Sequence, residues 1–381
     1  MDFAPSSFKK PLVLHLQKDL VRSVKRGHPW IYNYALAERP DAPMGAWALL
    51  KDRKGKDVAW GFYDPKGQLS FRVCLLNKKE MSLDWGTQRL ETAKRTRAHL
   101  IKSPHTDAFR LVNGEGDGLP GLVVDIYNDT AILQLDGAAP ENFWHKEAIA
   151  NWLAKELPIT NVFYKPRRKE EKQGQALVGE IPTQPVTIKE NDALYQVDVV
   201  SGQKTGFFLD QRDNRLRVRH LAKGKRVLNM FGYTGGFSIN AGLGGASQVT
   251  TVDLSPHAIK MAQGNWEINQ LPTEYHHGIV SDAFDFFDDN SGKYGKWDIS
   301  IVDPPSFAPS QETVSRAVDS YTRLYTSAIQ KTQPGGLFCP SSCSSHIPHA
   351  MFLDICIQAF SNARARGSTL GVYGQSEDHP Y

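Results

Sequence analysis

The chain has 381 residues, 40% of them hydrophobic, and a formal net charge of +4 at pH 7. This length predicts two or three domains with packed cores. No run of 18 apolar residues occurs, and the first residues lack the apolar core and cleavage site of a signal peptide, so we expect neither a membrane span nor a secretory signal.

The cysteines indicate the compartment. They form no CxxC pair and no spacing typical of a metal site, so we predict a reduced, cytoplasmic protein without a bound metal. The four are Cys74, Cys339, Cys343 and Cys356.

Residues 1–82 predict a small β-barrel. Turn signals at Asp52–Gly55 and Asp64–Gly67 separate short strands, the last of them Leu69–Leu75. At the head of this region, Arg26–Tyr32 mixes basic and aromatic residues, a mixture that suits RNA. We therefore expect Trp30 to contact RNA, and the alternative is a tryptophan that plugs the barrel.

Residues 83–192 predict a linker helix and a small α+β domain. The helix is expected over Leu83–Ile101, and a second helix over Glu141–Glu156. A basic cluster at Lys165–Lys169 follows the strand Asn161–Tyr164. Such clusters suit a phosphate backbone, which makes Arg167 and Arg168 candidate RNA contacts, although a solvated surface is the simpler reading.

Residues 193–381 predict an α/β domain. Strands and helices alternate, which implies a parallel sheet that binds ligands beyond the carboxyl ends of its strands. Between Lys204 and Arg226 there are eight Lys or Arg residues against two Asp. We expect the arginines of a helix over Asp213–Ala222 to share an exposed face. Lys204, Arg212 and Arg215 are the candidate phosphate contacts.

The stretch Val227–Asp253 predicts a nucleoside site. A short strand, a glycine turn, a helix, a second strand and an acid follow one another, as in the nucleotide-binding half of a doubly wound sheet. The glycines allow close approach of the backbone to a ligand, and the acid can accept hydrogen bonds from ribose hydroxyls.

Three acids fall at successive strand ends: Asp253, Asp282 and Asp303. Any one of them could cap a helix. Three along one sheet edge fit a nucleoside, with its ribose at Asp253 and its adenine at Asp282. The chain has no GxxxxGK[ST] sequence, which excludes a P-loop nucleotide triphosphatase.

Asp303-Pro304-Pro305 indicates the reaction. The prolines stiffen a loop whose carbonyls and acid can hold a flipped base, as in base-modifying methyltransferases. Here the chain resembles the family of the large-subunit ribosomal RNA cytosine-C5 methyltransferase I. The matching motifs are HPW at 28–30, LVNGEGDGLPGLVVD at 111–125, SGQKTGFFLDQRDNR at 201–215, LNMFGYTGGF at 228–237, DPPSF at 303–307 and SCS at 342–344.

The resemblance implies an N-terminal PUA domain, a central α+β domain and a C-terminal Rossmann-like domain that uses S-adenosylmethionine. It also implies that Cys343 is the nucleophile, that Asp303 holds the base with Pro304 and Pro305, and that ribosomal RNA is the partner of a monomer or homodimer. The expected cofactor contacts are Asn229, Phe231, Tyr233, Thr234, Gly235, Asp253, Leu254, Asp282, Ala283 and Asp303.

The sequence differs from the family pattern in two places, and two other functions are compatible with the same fold. Ser306 stands where the family commonly has lysine. Leu370–Tyr373 is expected to form the sixth strand of the sheet, and no residues are left to form the seventh strand that such domains normally have. The same fold could instead methylate a purine nitrogen, which would leave Cys343 idle, or act as a non-catalytic RNA-binding assembly factor. The other three cysteines are expected to be ordinary packing residues.

Overall fold

The structure is a computed structural model that describes residues 11–76, 84–167, 174–289 and 294–381. The chain forms two compact units. The first comprises the chain up to Glu190 together with Val197–Asp210 and Gln375–Tyr381, and the second comprises Asn191–Gln196 and Gln211–Gly374. In the described ranges, no helix is both long enough and apolar enough to span a bilayer.

The first unit begins with a five-stranded sheet in the order β1-β3-β4-β5-β2. β1 pairs with β3 in parallel, and the other pairs are antiparallel. Consecutive residues of β3, β4 and β5 are buried, among them Tyr63 and Phe71, so the predicted all-β character of this region is confirmed. Its elements are β1 Leu12–His15, α1 Val21–Lys25, β2 Trp30–Tyr32, β3 Ala46–Lys51, β4 Asp57–Tyr63 and β5 Leu69–Leu75.

A second five-stranded sheet, in the order β10-β9-β8-β7-β6, completes the first unit. It shares a hydrophobic core with one face of the N-terminal sheet, where Trp47 stacks on both Trp60 and Phe143. The predicted boundary between residues 82 and 83 lies outside the described residues. The elements are α2 Trp85–Thr96, α3 Ala98–Ile101, β6 Ala108–Asn113, β7 Leu122–Tyr127, β8 Thr130–Leu135, α4 Ala138–Phe143, α5 Lys146–Glu156, β9 Asn161–Tyr164 and β10 Gln175–Val178; β11 Val186–Glu190 and β12 Ala193–Val197 follow.

Two predicted helices are broken. The linker helix pauses at Arg97, and the helix predicted over Glu141–Glu156 divides between α4 and α5. Trp144 causes the second break, because its indole is 2% exposed and its Nε1 donates to the Pro120 carbonyl at 2.9 Å. Burying that ring and pairing its N–H take precedence over a continuous helix.

The motif at 111–125 holds the first unit together by buried ion pairs. Asp117 accepts from Arg97 Nη1 at 2.6 Å and Nη2 at 2.8 Å. Asp125, which is fully buried, accepts from Arg110 Nε at 2.7 Å and Nη2 at 2.8 Å. Both pairs are bidentate, the stronger geometry for an arginine and a carboxylate.

The second unit is a parallel sheet in the order β15-β14-β13-β16-β17. This confirms the predicted doubly wound α/β class, and the strand Trp297–Val302 has its predicted bounds. The elements are α6 Arg212–Leu221, β13 Arg226–Met230, α7 Gly236–Leu243, β14 Gln248–Asp253, α8 Pro256–Ile268, β15 His276–Val280, α9 Ala283–Asp288, β16 Trp297–Val302, α10 Val314–Gln330, β17 Thr332–Pro340 and α11 His349–Asn362.

The predicted sixth strand is wrong. Leu370–Tyr373 forms no strand, and Leu370 is 78% exposed. The Arg217 guanidinium lies 4.1 Å from the centre of the Tyr373 ring, so a cation–π contact holds the aromatic residue of this segment. Residues 197–210 and 375–381, predicted within the third domain, belong to the first unit.

Candidate cofactor and substrate site

The turn between β13 and α7 has an unusual backbone. Phe231 and Tyr233 have φ values of 59° and 46°, and Gly235 has a φ of 86° immediately before α7. Left-handed backbone is costly for aromatic residues, and it persists where the surrounding structure enforces it, often at functional sites. A Cβ at Gly232 would lie 2.4 Å from Thr251 Cγ2, so only glycine lets the chain pass this close to β14.

Asp253 lies at the carboxyl end of β14 against this turn. One of its carboxylate oxygens accepts from the Tyr233 N–H at 2.9 Å, and the other accepts from the Ser255 N–H at 2.9 Å. These backbone bonds fix the carboxylate, and each oxygen keeps a further lone pair that can accept from a ribose hydroxyl.

Exposed aliphatic side chains stand beside this carboxylate. Leu254 is 70% exposed. Val280, the last residue of β15, pairs with Asp253 in the sheet and is 51% exposed. Large aliphatic residues left open at strand ends form a surface that a flat ring can cover. Sequence reasoning missed Val280, because its apolar side chain fits the interior of a strand equally well.

Asp282 caps the next helix. Its Oδ1 accepts from the Phe284 N–H at 2.8 Å, and Ala283, at the first position of α9, is buried. The capping role that the sequence left open is therefore present. The Asp282 side chain is nevertheless exposed at the same sheet edge.

Thr234 provides a sign of a ligand. Its side-chain hydroxyl is buried in the turn, and it has no hydrogen-bond partner among the described residues. A buried hydroxyl without a partner is costly, and a bound polar group would remove that cost. Sequence inspection cannot show such an atom.

Cys343 lies beside the Asp303-Pro304-Pro305 loop. It is exposed, and its Sγ is 3.9 Å from the Pro304 carbonyl oxygen. The backbone enters this region from β17, where the Ser341 N–H donates to the Val302 carbonyl at 2.9 Å. The structure therefore brings the predicted nucleophile and the predicted base-holding loop together.

The serines on either side anchor the loop that carries Cys343. Ser344 Oγ lies 2.8 Å from the buried Tyr321 hydroxyl and 3.0 Å from Ser306 Oγ, and Ser342 Oγ donates to the same tyrosine at 3.2 Å. Ser306 thus ties the two loops together in the place of the family's lysine. Because both neighbours point inward, the thiol between them points outward.

The other three cysteines pack as predicted. Cys74 is buried, and Cys339 and Cys356 are half-buried. Burial raises the pKa of Cys339 and of Cys356 to about 11, so these thiols stay protonated at neutral pH.

Two side chains of the neighbouring segment hold the Asp303 carboxylate. Gln211 Nε2 donates to Asp303 Oδ2 at 3.3 Å, and Asn214 Nδ2 donates to Gln211 Oε1 at 2.7 Å. Gln211 lies in the conspicuous block at 201–215, so its sequence context could have drawn attention to it.

In the first unit, the predicted RNA contacts differ in exposure and in bonding partners. Trp30 is half-buried, and its indole N–H donates to Glu115 at 2.8 Å. Arg167 is 63% exposed and pairs with Asp136, while Arg168 lies outside the described residues. Lys204 is 47% exposed and lies 4.3 Å from the centre of the Phe208 ring.

The prediction that the arginines of the helix Asp213–Ala222 share an exposed face is wrong for Arg215, and Arg212, the candidate phosphate contact just before that range, is buried as well. Arg212 and Arg215 are 3% and 2% exposed, whereas Arg217 is exposed. The helix is short of apolar residues, and the two arginine side chains, with their guanidinium groups, lie on its buried face. They are therefore poorly placed to meet phosphates. No metal-binding group of His, Cys, Asp and Glu occurs in the described part of the chain.

Comparison with known proteins identifies the family. Residues 148–356 match the S-adenosylmethionine-dependent methyltransferases, and residues 14–74 match the PUA-like domain. The chain is 34% identical to the ribosomal RNA large subunit methyltransferase of Deinococcus radiodurans, across 99% of this chain and 95% of that protein. It is 35% identical to ribosomal RNA large subunit methyltransferase I of Photobacterium profundum, across 96% and 94%.

Solved structures share the fold. A protein from Streptococcus mutans described as a SAM-dependent methyltransferase superimposes with a TM-score of 0.85 at 23% identity, across 97% of this chain and 95% of that chain. A methyltransferase solved in complex with SAH gives 0.85 at 24% identity, with the same coverage. The family match spans more than half of the chain, and the named relatives align along nearly all of it. The chain therefore belongs to the S-adenosylmethionine-dependent methyltransferases, in the group that includes ribosomal RNA large subunit methyltransferase I.

Proposed function

We propose that this protein methylates carbon 5 of a cytosine in large-subunit ribosomal RNA, acting in the cytoplasm through a covalent adduct with Cys343. The observation that supports this most is the position of the thiol. Cys343 is exposed and held 3.9 Å from the carbonyl of the Asp303-Pro304-Pro305 loop, whereas the other cysteines are buried or half-buried. The relatives' names supply the RNA class.

The turn after β13 fits S-adenosylmethionine. The partnerless hydroxyl of Thr234 can bond a polar group of the ligand, and Asp253 can accept from the ribose. Leu254 and Val280 offer apolar contact to adenine, and Asp282 offers a carboxylate to its amino group. When bound, the cofactor supplies an electrophilic methyl group on a sulfonium.

The chemistry assigned to the chain's own residues follows from cytosine. Carbon 5 is a poor nucleophile, and addition of the Cys343 thiolate to carbon 6 makes the ring an enamine that is nucleophilic at carbon 5. Asp303 accepts from the exocyclic amino group and pairs with the ring nitrogen through a shared proton. After carbon 5 has gained the methyl group, its proton passes to solvent water, the double bond between carbons 5 and 6 reforms and the Cys343 thiolate leaves. The ring nitrogen then returns the shared proton to Asp303.

Nucleoside mass spectrometry of ribosomal RNA tests this function. RNA from a strain that lacks the protein should have lost 5-methylcytidine at one position of the large subunit, and the wild-type chain should restore it while the Cys343→Ser variant should not. Loss of a methylated purine would favour the nitrogen-methylating alternative. An unchanged nucleoside profile would favour the non-catalytic assembly factor.

Replacing Asp253 with alanine should weaken cofactor binding at least tenfold. The change removes hydrogen bonds to a charged acceptor, which contribute about 1.5–3 kcal/mol each, and about 1.4 kcal/mol is a factor of ten in Kd. Calorimetric titration with S-adenosylhomocysteine measures the loss. The Asp253→Asn variant keeps one acceptor oxygen and should lose less.

Because Asp253 also holds the turn, a second ligand separates the two effects. The wild-type chain should bind methylthioadenosine more tightly than its 2′-deoxy counterpart, and the Asp253→Ala variant should bind the two alike. A variant that still discriminates between them would show that the ribose lies elsewhere.

A further inference from the structure

A chain of four polar side chains runs beneath the glycine turn. Asn229 Nδ2 donates to Ser238 Oγ at 2.9 Å, Ser238 Oγ lies 2.6 Å from Thr251 Oγ1, and Thr251 Oγ1 lies 2.7 Å from His276 Nε2. The four residues come from β13, α7, β14 and β15, so the chain crosses three neighbouring strands and the helix above them.

Three of these four side chains are buried, and the fourth, His276, is half-buried. Asn229 is 1% exposed, and Ser238 and Thr251 are fully buried. The His276 ring stacks on Trp266 with centroids 4.7 Å apart and planes 11° apart, which fixes the plane of the imidazole. Buried polar groups of this kind are favourable only when each donor meets an acceptor.

The direction of the hydrogen bonds can be inferred from the asparagine. Its amide nitrogen can only donate, so Ser238 Oγ accepts there. Between Ser238 and Thr251 either hydroxyl could donate, and only one direction leaves no hydroxyl hydrogen without an acceptor: Ser238 donates to Thr251, and Thr251 donates to His276 Nε2. This inferred direction places the ring proton on Nδ1. Burial, and to a smaller extent His277, lower the pKa of His276 to about 4, so the neutral ring is the form present at neutral pH.

Two of these residues, Asn229 and Thr251, lie directly beneath the turn. A Cβ on Gly232 would come within 2.4 Å of Thr251 Cγ2 and 3.1 Å of Asn229 Nδ2. The Gly232 backbone therefore rests directly on the threonine methyl and the asparagine amide. Any rotation of either side chain would displace the turn that carries Tyr233 and Thr234.

We propose that Ser238, Thr251 and His276 are positioning residues, whose directed hydrogen bonds hold the Asn229 amide, and with it the glycine turn, in the conformation that receives S-adenosylmethionine. The inference rests on the proposed binding of the cofactor at this turn. It extends the binding machinery by about the width of two strands, to a histidine that does not itself contact the ligand.

The two functional groups of Thr251 allow a matched test. Thr251→Val keeps the shape and the methyl group beneath Gly232 but removes the hydroxyl, and Thr251→Ser keeps the hydroxyl but removes the methyl group. We expect the valine variant to bind S-adenosylhomocysteine about 5- to 10-fold more weakly in calorimetry, and the serine variant to stay within about twofold of the wild-type chain. Titration below the unfolding temperature of each variant separates binding from stability. The reverse order of the two variants would overturn the proposal, since packing alone would then support the turn.

A spectroscopic measurement checks the direction of the chain. In 15N spectra of the histidine-labelled protein, with His276 assigned by comparison with His276→Gln, the wild-type ring should be the Nδ1–H tautomer and Thr251→Val should lose this fixed tautomer. An Nε2–H ring in the wild-type protein would refute the directed chain. The Asp253→Ala variant distinguishes the two levels of failure. If it binds normally, the site itself is wrongly placed, and if it binds weakly while Thr251→Val binds normally, only this inference fails.

Discussion

Replacing Cys343 with serine should abolish methylation of the RNA, with turnover lowered by at least about 1,000-fold, as expected when an enzyme loses its nucleophile. The same change should abolish a covalent complex between the wild-type protein and RNA that carries 5-fluorocytidine. Both losses follow from one step, the addition of the thiolate to carbon 6.

The fluorinated base makes that step visible. The adduct forms, and carbon 5 becomes methylated, but fluorine replaces the hydrogen that would have to leave as a proton. Elimination of Cys343 is then blocked, and the protein stays bound to the RNA. A serine hydroxyl is far less ionised than a thiol at neutral pH, so it cannot replace the sulfur.

Denaturing gel electrophoresis of the protein with fluorinated RNA, followed by peptide mass spectrometry, identifies the attached residue. The matched control is Cys356→Ala, because the Cys356 thiol is half-buried and its pKa is raised to about 11. This control should cross-link like the wild-type chain. Cofactor binding by Cys343→Ser should be unchanged, since no cofactor contact is assigned to the sulfur.

Two outcomes would contradict the covalent mechanism. Methylation retained by Cys343→Ser would favour transfer to a purine nitrogen. A cross-link through another cysteine would place the reacting base away from the Asp303-Pro304-Pro305 loop.

Replacing Arg110 with alanine should destabilise the first unit by about 3–5 kcal/mol, the cost of breaking a buried ion pair from one side. The change leaves the Asp125 carboxylate fully buried without the guanidinium that holds both of its oxygens. Thr205 Oγ1, which donates to Asp125 Oδ2 at 2.5 Å, would remain as a neutral partner only.

Urea unfolding followed by tryptophan fluorescence measures this loss. Six of the eight tryptophans, at positions 30, 47, 60, 85, 144 and 152, lie in the first unit, so the signal reports mainly on that unit. The matched control is Arg167→Ala, because Arg167 pairs with Asp136 in the same unit and their side chains are 63% and 36% exposed. That variant should lose less than about 1 kcal/mol. Equal losses in the two variants would show that burial of the Arg110 pair carries no special weight.

Much of the second unit could be predicted from its sequence. The strands of a parallel sheet are buried on both faces and read as short apolar runs, and the acid that follows each run marks the binding edge. The neighbouring positions of Cys343 and the Asp303 loop follow from the same rule, since β16 and β17 pair in parallel and end together.

The remaining features depend on tertiary contacts. Arg212 and Arg215 are charged, but both side chains are buried. Trp30 looks available for stacking until Glu115, 85 residues further along the chain, is seen to accept from its indole. The chain of hydrogen bonds from Asn229 to His276 joins residues whose spacing in the sequence follows no pattern.

The path of the chain between the two units has an evolutionary consequence. The backbone passes from one unit to the other four times, after Glu190, Gln196, Asp210 and Gly374. Within the first unit, Thr205 bonds the carboxylate of Asp125, and Asp378 accepts from the Arg110 N–H at 2.8 Å. A single cut or recombination point would therefore separate structural partners. The two units are not successive segments of the chain, so exchanging either one between proteins would require more than one recombination point.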